Sequence, residues 1–325
     1  MKMELSAFTA NPSSQNSAGR AVDSSLTVLG ERDFAAFRSL IHQHTGIWLR
    51  DGKEVMLASR LSRRVRLLGL DGFGDYLQYL TRLVDNREEM RELINCVTTN
   101  KTSFFRERHH FNYLATTVVP ETRASRQIAG ANRIRIWSAA SSTGEEPYSI
   151  AMTLLEALQK EKGRIPSQSL VEIVASDVDT SVLATAQRAI YRLDALDKVP
   201  QNFLKRYFLR GKDAMSGYAK VKSEVTDLVD FTRINLMDAQ WEIEGPFDVI
   251  FFRNALIYFQ RETQDRFLRR MIRYLRPGGY LFLGNSEHIP WLHDILAPLN
   301  QTMYRLREPK NVAIQADATL GESRG

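Results

Sequence analysis

The stretch that decides the fold is Arg133-Ile-Arg-Ile-Trp-Ser-Ala-Ala140, which runs directly into Ser141-Ser-Thr-Gly-Glu-Glu-Pro147. Isoleucine and tryptophan dominate the apolar positions of the first half, so it predicts a buried strand. The Ser/Gly segment predicts a tight turn, and a helix is expected to begin near Glu145. Because open parallel sheets bind ligands where a strand turns into a helix, this stretch predicts an α/β fold with a binding site at the turn.

Further apolar runs downstream alternate with helical patterns. We expect strands at residues 171–177, 247–252, 280–284 and 302–307, and helices at residues 181–189 and 261–275. The second of these helices is expected to end at Pro277-Gly278-Gly279. Such alternation predicts a mostly parallel sheet covered by helices on both faces. Residues 203–231 break the pattern with short strand-like runs at 218–221 and 228–231, and they predict a small antiparallel insertion.

The apolar residues between positions 29 and 100 have helical spacing. Phe34, Phe37 and Ile41 share one face of a first helix that is expected to end near Gly46. Asp51 is expected to cap a second helix, which ends before Gly69. Further helices are expected at residues 72–84, 87–97 and 110–123, the last of them connecting the helical domain to the sheet.

These patterns divide the 325 residues into a disordered leader, two domains and a loose tail. The leader is rich in Ser, Asn, Ala and Gly, and the tail is polar, so neither is expected to form a core. The expected bounds are 1–28 for the leader, 29–100 for the helical domain, 101–132 for a linker and connecting helix, 133–308 for the α/β domain and 309–325 for the tail.

The composition excludes several classes of protein. Cys96 is the single cysteine, which excludes an internal disulfide framework and a thiolate zinc cluster. We see no signal-peptide pattern and no apolar run of the roughly 18 residues that a membrane span needs, so we expect a cytoplasmic protein without membrane insertion. The net charge of +6 would attract nucleic acid, an anionic membrane or an acidic protein, and it does not choose among them.

The turn motif Ala139-Ala-Ser-Ser-Thr-Gly-Glu-Glu-Pro147 has one glycine and is not a GxGxxG phosphate cradle. Its two carboxylates, Glu145 and Glu146, would repel a pyrophosphate at the helix N-terminus. A ligand that carries an ammonium and a sulfonium group would be attracted instead. The alternative is that both glutamates only favour the helix dipole.

Three other motifs fall on the same edge of the predicted sheet or on the linker that faces it. In Ser176-Asp177-Val-Asp179, a carboxylate can accept hydrogen bonds from ribose hydroxyls, although an N-cap role is the alternative and suits Asp179 better. Thr98-Thr-Asn-Lys-Thr-Ser-Phe-Phe-Arg106 suits a segment that covers a ligand, or a helix cap with a hydrophobic anchor. Phe252-Arg-Asn-Ala-Leu-Ile-Tyr-Phe259 places three polar side chains at a strand end, which ordinary solvated residues could also explain.

Together and in this order, the four motifs resemble the chemotaxis-receptor glutamate O-methyltransferase family (CheR type) over residues 31–307. The resemblance implies a Rossmann-like methyltransferase sheet domain, an N-terminal all-helical domain and a small antiparallel β insertion. It implies S-adenosyl-L-methionine as methyl donor, S-adenosyl-L-homocysteine as product, and no metal. The residues that it implies for the donor site are Asn100, Thr102, Arg106, Glu146, Asp177, Asn235, Leu236, Arg253 and Asn254, with Arg106 and Tyr258 nearest the transferred methyl group.

The second helix carries a basic set of side chains, Lys53, Arg60, Arg63, Arg64 and Arg66. A solvated face is one interpretation. The family resemblance favours another, in which this helix docks on the acidic helical bundle of a chemotaxis receptor. In part of the family, the small insertion binds a peptide at the receptor C-terminus. We therefore expect a monomeric cytoplasmic enzyme that is recruited to membrane receptor arrays.

Two other functions remain as alternatives. An N-methyltransferase would have the same sheet, but an amine acceptor usually needs a proton acceptor near the methyl group. A nucleic-acid-binding protein would use the basic helix alone and would leave the polar residues at the sheet edge unexplained. The missing glycines disfavour a nicotinamide dehydrogenase, and the presence of every implied contact residue disfavours an inactive regulatory domain.

Overall fold

A computed structural model describes residues 29–82, 87–128, 133–162 and 170–308 of the chain. The predicted leader and tail lie outside these residues. The described part has a helical domain and a seven-stranded mixed sheet in the order β6-β2-β1-β7-β8-β10-β9. The strands of this sheet are β1 Ile134–Ala139, β2 Val171–Asp177, β6 Val229–Arg233, β7 Phe247–Phe252, β8 Leu275–Leu283, β9 Leu296–Pro298 and β10 Met303–Leu306.

Within this sheet β1, β2, β6, β7 and β8 are parallel, and β10 and β9 add an antiparallel edge. Strand β7, Phe-Asp-Val-Ile-Phe-Phe, is buried at every position, as expected for a central parallel strand with both faces covered. Ile136 packs in the core on one face of β1 and Trp137 in the core on the other. The chain adds β2 and β6 on one side of β1 and then β7 and β8 on the other side. The carboxyl end of β1 therefore lies at the topological switch point. The predicted fold class is confirmed.

Helices cover both faces of the sheet. They are α7 Glu145–Lys162 and α8 Thr180–Arg188 after β1 and β2, α9 Gln201–Tyr207, α10 Ser223–Thr226, and α11 Arg261–Ile272 between β7 and β8. The prediction that the last helix continues to residue 275 and ends at Pro277-Gly278-Gly279 is wrong. These residues bulge inside β8, because Leu275 pairs with Phe247 and the next register pair joins Tyr280 to Val249.

The helical domain comprises α1 Glu31–Thr45, α2 Glu54–Leu67, α3 Phe73–Arg82 and α4 Arg87–Val97. Helix α1 ends as predicted, with Gly46 in a left-handed conformation at φ 74°. Asp51 does not cap α2. Its carboxylate accepts a 2.6 Å bond from Arg38, and the helix begins after Lys53 without a side-chain cap.

A continuous helical segment connects the two domains. It consists of α5 Arg108–Tyr113, a π-helical turn at Leu114–Val118 and α6 Val119–Ile128. Its inner face, including Phe111, Leu114 and Val118, belongs to the same core as α7. The linker ahead of α5 is therefore anchored on the sheet domain and passes across the carboxyl edge of the sheet.

The predicted small antiparallel sheet is present, and the predicted run 218–221 is one of its strands, but the sheet lies partly outside the predicted range. It has the order β3-β5-β4, with β3 Ile190–Arg192, β4 Phe208–Arg210 and β5 Tyr218–Val221. The range 203–231 therefore begins too late and ends too far along the chain. The run 228–231 belongs to β6, which pairs in parallel with β2 in the main sheet. An edge strand of a large sheet and a strand of a small antiparallel sheet have similar apolar patterns, so the sequence alone did not show which sheet residues 228–231 join.

Candidate active site

A cleft of about 700 Å³ lies between the helical domain and the carboxyl edge of the sheet. Its walls come from the α1–α2 connection, the linker, the turn after β1 and the ends of β2, β6 and β7. Every residue implied for the donor site and for the methyl end lines it: Asn100, Thr102, Arg106, Glu146, Asp177, Asn235, Leu236, Arg253, Asn254 and Tyr258. The volume is that of a site for a cofactor or drug-sized molecule.

Asp179 ties the linker to the sheet. Its side chain is fully buried, and Oδ1 caps α8 by accepting from Ser181 N at 2.9 Å. The other oxygen accepts from the Thr98 hydroxyl at 2.6 Å and from Asn100 Nδ2 at 2.7 Å. The predicted cap is present, and the contacts with Thr98 and Asn100 were not predicted from the sequence. Asn100 thus lies in the cleft wall with its amide bonded to Asp179.

Asp177 lies at the end of β2 and is buried. Its carboxylate accepts backbone N–H bonds from Ser142 at 2.9 Å and from Asp179 at 3.0 Å. Burial outweighs these bonds and raises the pKa of Asp177 to about 6. The group is therefore mostly ionised at neutral pH, and a small acidification protonates it.

The turn between β1 and α7 is closely packed. Gly144 has φ 94°, and an added Cβ would lie 2.8 Å from the Cβ of Ala186 and 2.9 Å from the hydroxyl of Tyr191. Only glycine fits this position without displacing its neighbours. Ala140 and Ser142 nearby also have left-handed backbone conformations. This geometry lets a ligand approach the backbone of the turn.

Direct contacts beside the cleft join the helical domain to the sheet domain. Asn235 donates to the His44 carbonyl at 2.6 Å, and Trp48 N donates to the Tyr258 carbonyl at 2.8 Å. Ile47 forms an isolated β-bridge with Phe259. These contacts hold the α1–α2 connection over the site, and Leu236 lies beside them in the wall.

Arg253 is the most deeply buried cation of the cleft, with 1% of its side chain exposed. Its guanidinium pairs with Glu146 at 3.1 Å and with Glu107 at 3.0 Å, and it also donates to the Arg106 carbonyl. Glu146 accepts a further bond from the Ser138 hydroxyl at 2.8 Å. The two implied cofactor residues Glu146 and Arg253 are therefore paired with each other.

The two carboxylates respond differently to this arginine. Burial raises the pKa of Glu146 despite the opposing charge of Arg253. Burial also acts to raise the pKa of Glu107, but Arg253 and the N–H donors of Asn285 and Asn254 hold it below its usual value. We attribute the difference to the number of hydrogen-bond donors, because Glu146 has fewer donors than Glu107 to offset its desolvation.

Glu107 and Glu287 also belong to this site and were not predicted from the sequence. Glu287 is 4% exposed and accepts from Asn254 N at 2.8 Å and Gly284 N at 2.7 Å. It fixes the turn that carries Arg253, Asn254 and Tyr258. In the sequence, each glutamate stands within or beside an apolar or motif segment. That position does not reveal which group the carboxylate binds.

Arg106 and Tyr258 are both half-buried in the cleft wall. The guanidinium of Arg106 donates to the Lys101 carbonyl at 3.0 Å, so it is turned toward its own linker. Arg50, Lys53 and Lys101 are exposed at the same cavity. Inside the cleft, the carboxylates of Asp177 and Glu146 outnumber the buried guanidinium of Arg253, and exposed cations lie at its rim.

The basic residues of α2 do not form one shared surface. Arg60 folds onto the linker, where it donates to the Thr98 carbonyl at 2.9 Å and to the Thr99 hydroxyl at 3.1 Å. Arg64 pairs with the buried Glu89. Arg63 and Arg66 are exposed, and Lys53 is exposed at the cleft. Helical spacing alone could not predict these partners, which are distant in the sequence.

Among the residues that the structure describes, no helix has both the length and the apolar character needed to cross a bilayer. The same residues contain no group of three or more His, Cys, Asp or Glu side chains that could hold a metal ion.

Comparison with known proteins matches both domains to one family. The profile described as "CheR methyltransferase, SAM binding domain" matches residues 100–305, and that described as "CheR methyltransferase, all-alpha domain" matches residues 32–98. The chain belongs to the CheR methyltransferase family. It is a methyltransferase that uses S-adenosyl-L-methionine.

Curated relatives agree with this assignment. The chain is 45% identical to chemotaxis protein methyltransferase 2 of Pseudomonas aeruginosa, over 84% of this chain and 92% of that protein. It is 43% identical to the chemotaxis protein methyltransferase of Salmonella typhimurium, over 87% and 92% of the two chains. The Escherichia coli protein of the same name is 43% identical over 86% and 92%.

The residues of the cleft fit the donor of this CheR family. Asp177 is a buried carboxylate that accepts backbone N–H bonds and lies at the usual place for ribose recognition in such sheets. The Glu107–Arg253–Glu146 cluster has two carboxylates for one guanidinium, which suits a neighbouring cationic ligand. Both features match the hydroxyl and sulfonium groups of S-adenosyl-L-methionine.

The raised pKa of Asp177 predicts that binding of S-adenosyl-L-homocysteine depends on pH. The ionised carboxylate is the better acceptor for two ribose hydroxyls. With a folded-state pKa of about 6, ionisation is nearly complete at about pH 7.5 and mostly lost at about pH 5. The dissociation constant should therefore rise about tenfold over this range.

Titration calorimetry at the two pH values measures this effect. Asp177→Asn serves as the control, because it should bind more weakly at both pH values and lose most of the pH dependence. An unchanged dissociation constant of the wild type across the range would contradict the assignment of Asp177 to the ribose.

Proposed function

We propose that the protein transfers the methyl group of S-adenosyl-L-methionine to glutamate side chains of chemotaxis receptors. The products are glutamyl methyl esters and S-adenosyl-L-homocysteine. The observation that carries this proposal is the single cleft that gathers the donor residues inside a rim of exposed cations, Arg50, Lys53 and Lys101. Relatives named as chemotaxis protein methyltransferases support the receptor as substrate.

A glutamate acceptor needs no general base. Its side-chain pKa is about 4.3, so it enters the cleft as an anion. S-adenosyl-L-methionine, when bound, supplies an electrophilic methyl group on a sulfonium. The protein must therefore bring an anion into a dry site and align it. Arg106 and the rim cations attract and orient the carboxylate.

Alignment is the main contribution expected from the chain. Holding two reacting groups in line is worth as much as about 7–11 kcal/mol, whereas acid–base assistance typically gives about 3–5 kcal/mol. Arg106 and Tyr258 lie in the wall near the Arg253 cluster, where they orient the acceptor by hydrogen bonds. Arg106 must bind the carboxylate only moderately, because ground-state stabilisation of the nucleophile raises the barrier.

Transfer of tritium from methyl-labelled S-adenosyl-L-methionine to receptor-containing membranes tests the function. We expect label on the receptor and its release as methanol in mild alkali, since carboxyl esters hydrolyse there. Label that withstands alkali would indicate N-methylation, and no transfer to any receptor would contradict the proposal.

In this assay, Arg106→Ala should lower kcat about 10- to 100-fold, the usual value of a hydrogen bond to a charged group. Tyr258→Phe should lower it about 2- to 10-fold, the value of an ordinary hydrogen bond. Arg133→Ala and Tyr274→Phe are matched controls, because these residues directly precede β1 and β8 at the amino edge of the parallel strands, and both variants should keep wild-type turnover. Wild-type turnover in Arg106→Ala would remove its proposed role.

The exposed cations Arg63 and Arg66 of α2, with Lys53 at the cleft, form the proposed docking surface for the acidic receptor bundle. Arg60 and Arg64, predicted as members of this surface, have partners within the protein and contribute by shaping it. We further propose that the enzyme acts in the cytoplasm, as a monomer recruited to membrane receptor arrays.

Electrostatic docking predicts that added salt raises the receptor KM and leaves kcat nearly unchanged. The double variant Arg63→Glu/Arg66→Glu should raise the receptor KM by about 2- to 5-fold for each charge. Arg273→Glu, exposed at the end of α11, is the control and should change neither constant. A receptor KM that responds to neither salt nor the double variant would exclude this surface.

The antiparallel sheet offers a second contact. Strand β4 is at its edge, and Leu209, Met215 and Tyr218 are exposed apolar side chains near it, 56%, 42% and 37% accessible. An extended receptor C-terminal peptide could add a strand there, with backbone bonds for affinity and apolar side chains for specificity.

Calorimetry with receptor C-terminal pentapeptides measures this binding. We expect binding to the wild type and at least about tenfold weaker binding to Leu209→Asp, which puts a charge on the exposed apolar surface. Scrambled peptides are the control. Absence of heat with every pentapeptide would contradict the proposal.

A further inference from the structure

Glu107 lies directly after Arg106 and behind the cleft wall. Its side chain is 9% exposed. Oε2 accepts from Arg253 at 3.0 Å, while Oε1 accepts from Asn254 Nδ2 at 3.3 Å and from Asn285 N at 3.2 Å. One carboxylate therefore joins the linker, the turn after β7 and the segment after β8.

The charge of Glu107 matters because Arg253 is buried. A buried guanidinium without full pairing carries a large desolvation cost. The other carboxylate at Arg253 is Glu146, whose pKa burial raises. His110 contacts Glu107 at 3.5 Å, but burial lowers its pKa to about 2, so it is neutral. Nearby His109 also has a lowered pKa because of burial.

The backbone around this carboxylate is strained. Phe105, Glu107 and Asn254 have φ values of 50°, 59° and 59°, in the left-handed region that non-glycine residues rarely adopt. Arg106 lies between two of them, and its carbonyl accepts a bond from Arg253. Such conformations persist only where surrounding contacts over-determine them. The contacts of Glu107 and Arg253 provide this constraint.

We propose that Glu107 is a positioning residue for methyl transfer, which fixes Arg106, Arg253 and Asn254 relative to one another at the methyl end of the cleft. It does not touch the reacting atoms, since its carboxylate faces Arg253 and the N–H donors behind the wall. This inference rests on the proposed function of the cleft.

The test is the kinetics of Glu107→Gln, which keeps the shape of the side chain and removes its charge. We expect kcat to fall about 10- to 100-fold, the effect of a small misplacement of reacting groups. The receptor KM should stay within about twofold, because the side-chain contacts of Glu107 are with Arg253, Asn254, Asn285 and His110 and not with the docking cations Lys53, Arg63 and Arg66. Asp248→Asn is the matched control. Its buried carboxylate accepts from Arg135 N and pairs with Arg276 at the opposite edge of the sheet, and its kcat should be unchanged.

A double-variant cycle separates positioning from a general loss of stability. If Glu107 acts through Arg106, then adding Glu107→Gln to Arg106→Ala should lower kcat by less than threefold more. The inference would be overturned if the kcat losses of the two single variants multiplied in full in the double variant. A wild-type kcat in Glu107→Gln would also overturn it. If the Gln variant does not fold by circular dichroism, Glu107→Asp replaces it in the cycle, with kcat expected between the wild type and Arg106→Ala.

Activity of the wild-type enzyme distinguishes failure of the positioning role of Glu107 from failure of the proposed function. If wild type and Asp248→Asn transfer label to receptors and Glu107→Gln does so at the same rate, only the positioning role fails. If the wild type transfers no label to any receptor, the proposed function fails and the inference falls with it.

Discussion

The buried guanidinium of Arg253 is the interaction on which the rest of the site depends. With 1% of its side chain exposed, it must be paired, and its two carboxylates come from different parts of the chain. Glu146 belongs to the first turn of α7, and Glu107 to the linker from the helical domain. The charge is therefore satisfied only when strand β7, helix α7 and the linker have come together, which is also the arrangement that forms the cleft.

A second buried carboxylate acts in a similar way at the other end of the linker. Asp179 caps α8 with one oxygen and accepts from Thr98 and Asn100 with the other. The linker is thus attached to the sheet edge at both ends, by Asp179 and by Arg253. A site held in this way needs little reorganisation when a ligand enters, and preorganised polar groups are the usual source of catalytic power in a dry cleft.

The sequence predicted where the site residues lie in the fold. It did not predict which side chains they pair with. Because strand ends of a parallel sheet share one edge, Asp177, Glu146, Arg253 and Asn254 were expected near each other, and all line the cleft. The pairing of Glu146 with Arg253, and the position of Glu107 behind both, depend on side-chain geometry across residues far apart in sequence. The predicted bounds of the small sheet were wrong for a related reason. Strand Ile190–Arg192 is too short to show periodicity, and the apolar pattern of β6 does not indicate which sheet it joins.

We propose that this cleft, tied together by buried ion pairs, holds the methyl donor. A crystal structure of the protein with S-adenosyl-L-homocysteine tests it most directly. We expect the ribose hydroxyls to lie on Asp177 and the sulfur to lie beside Arg106 and the Arg253 cluster, with the Glu107–Arg253–Glu146 contacts retained. Ligand density outside the cleft, or bound in the reverse direction with the ribose at Arg253, would contradict it.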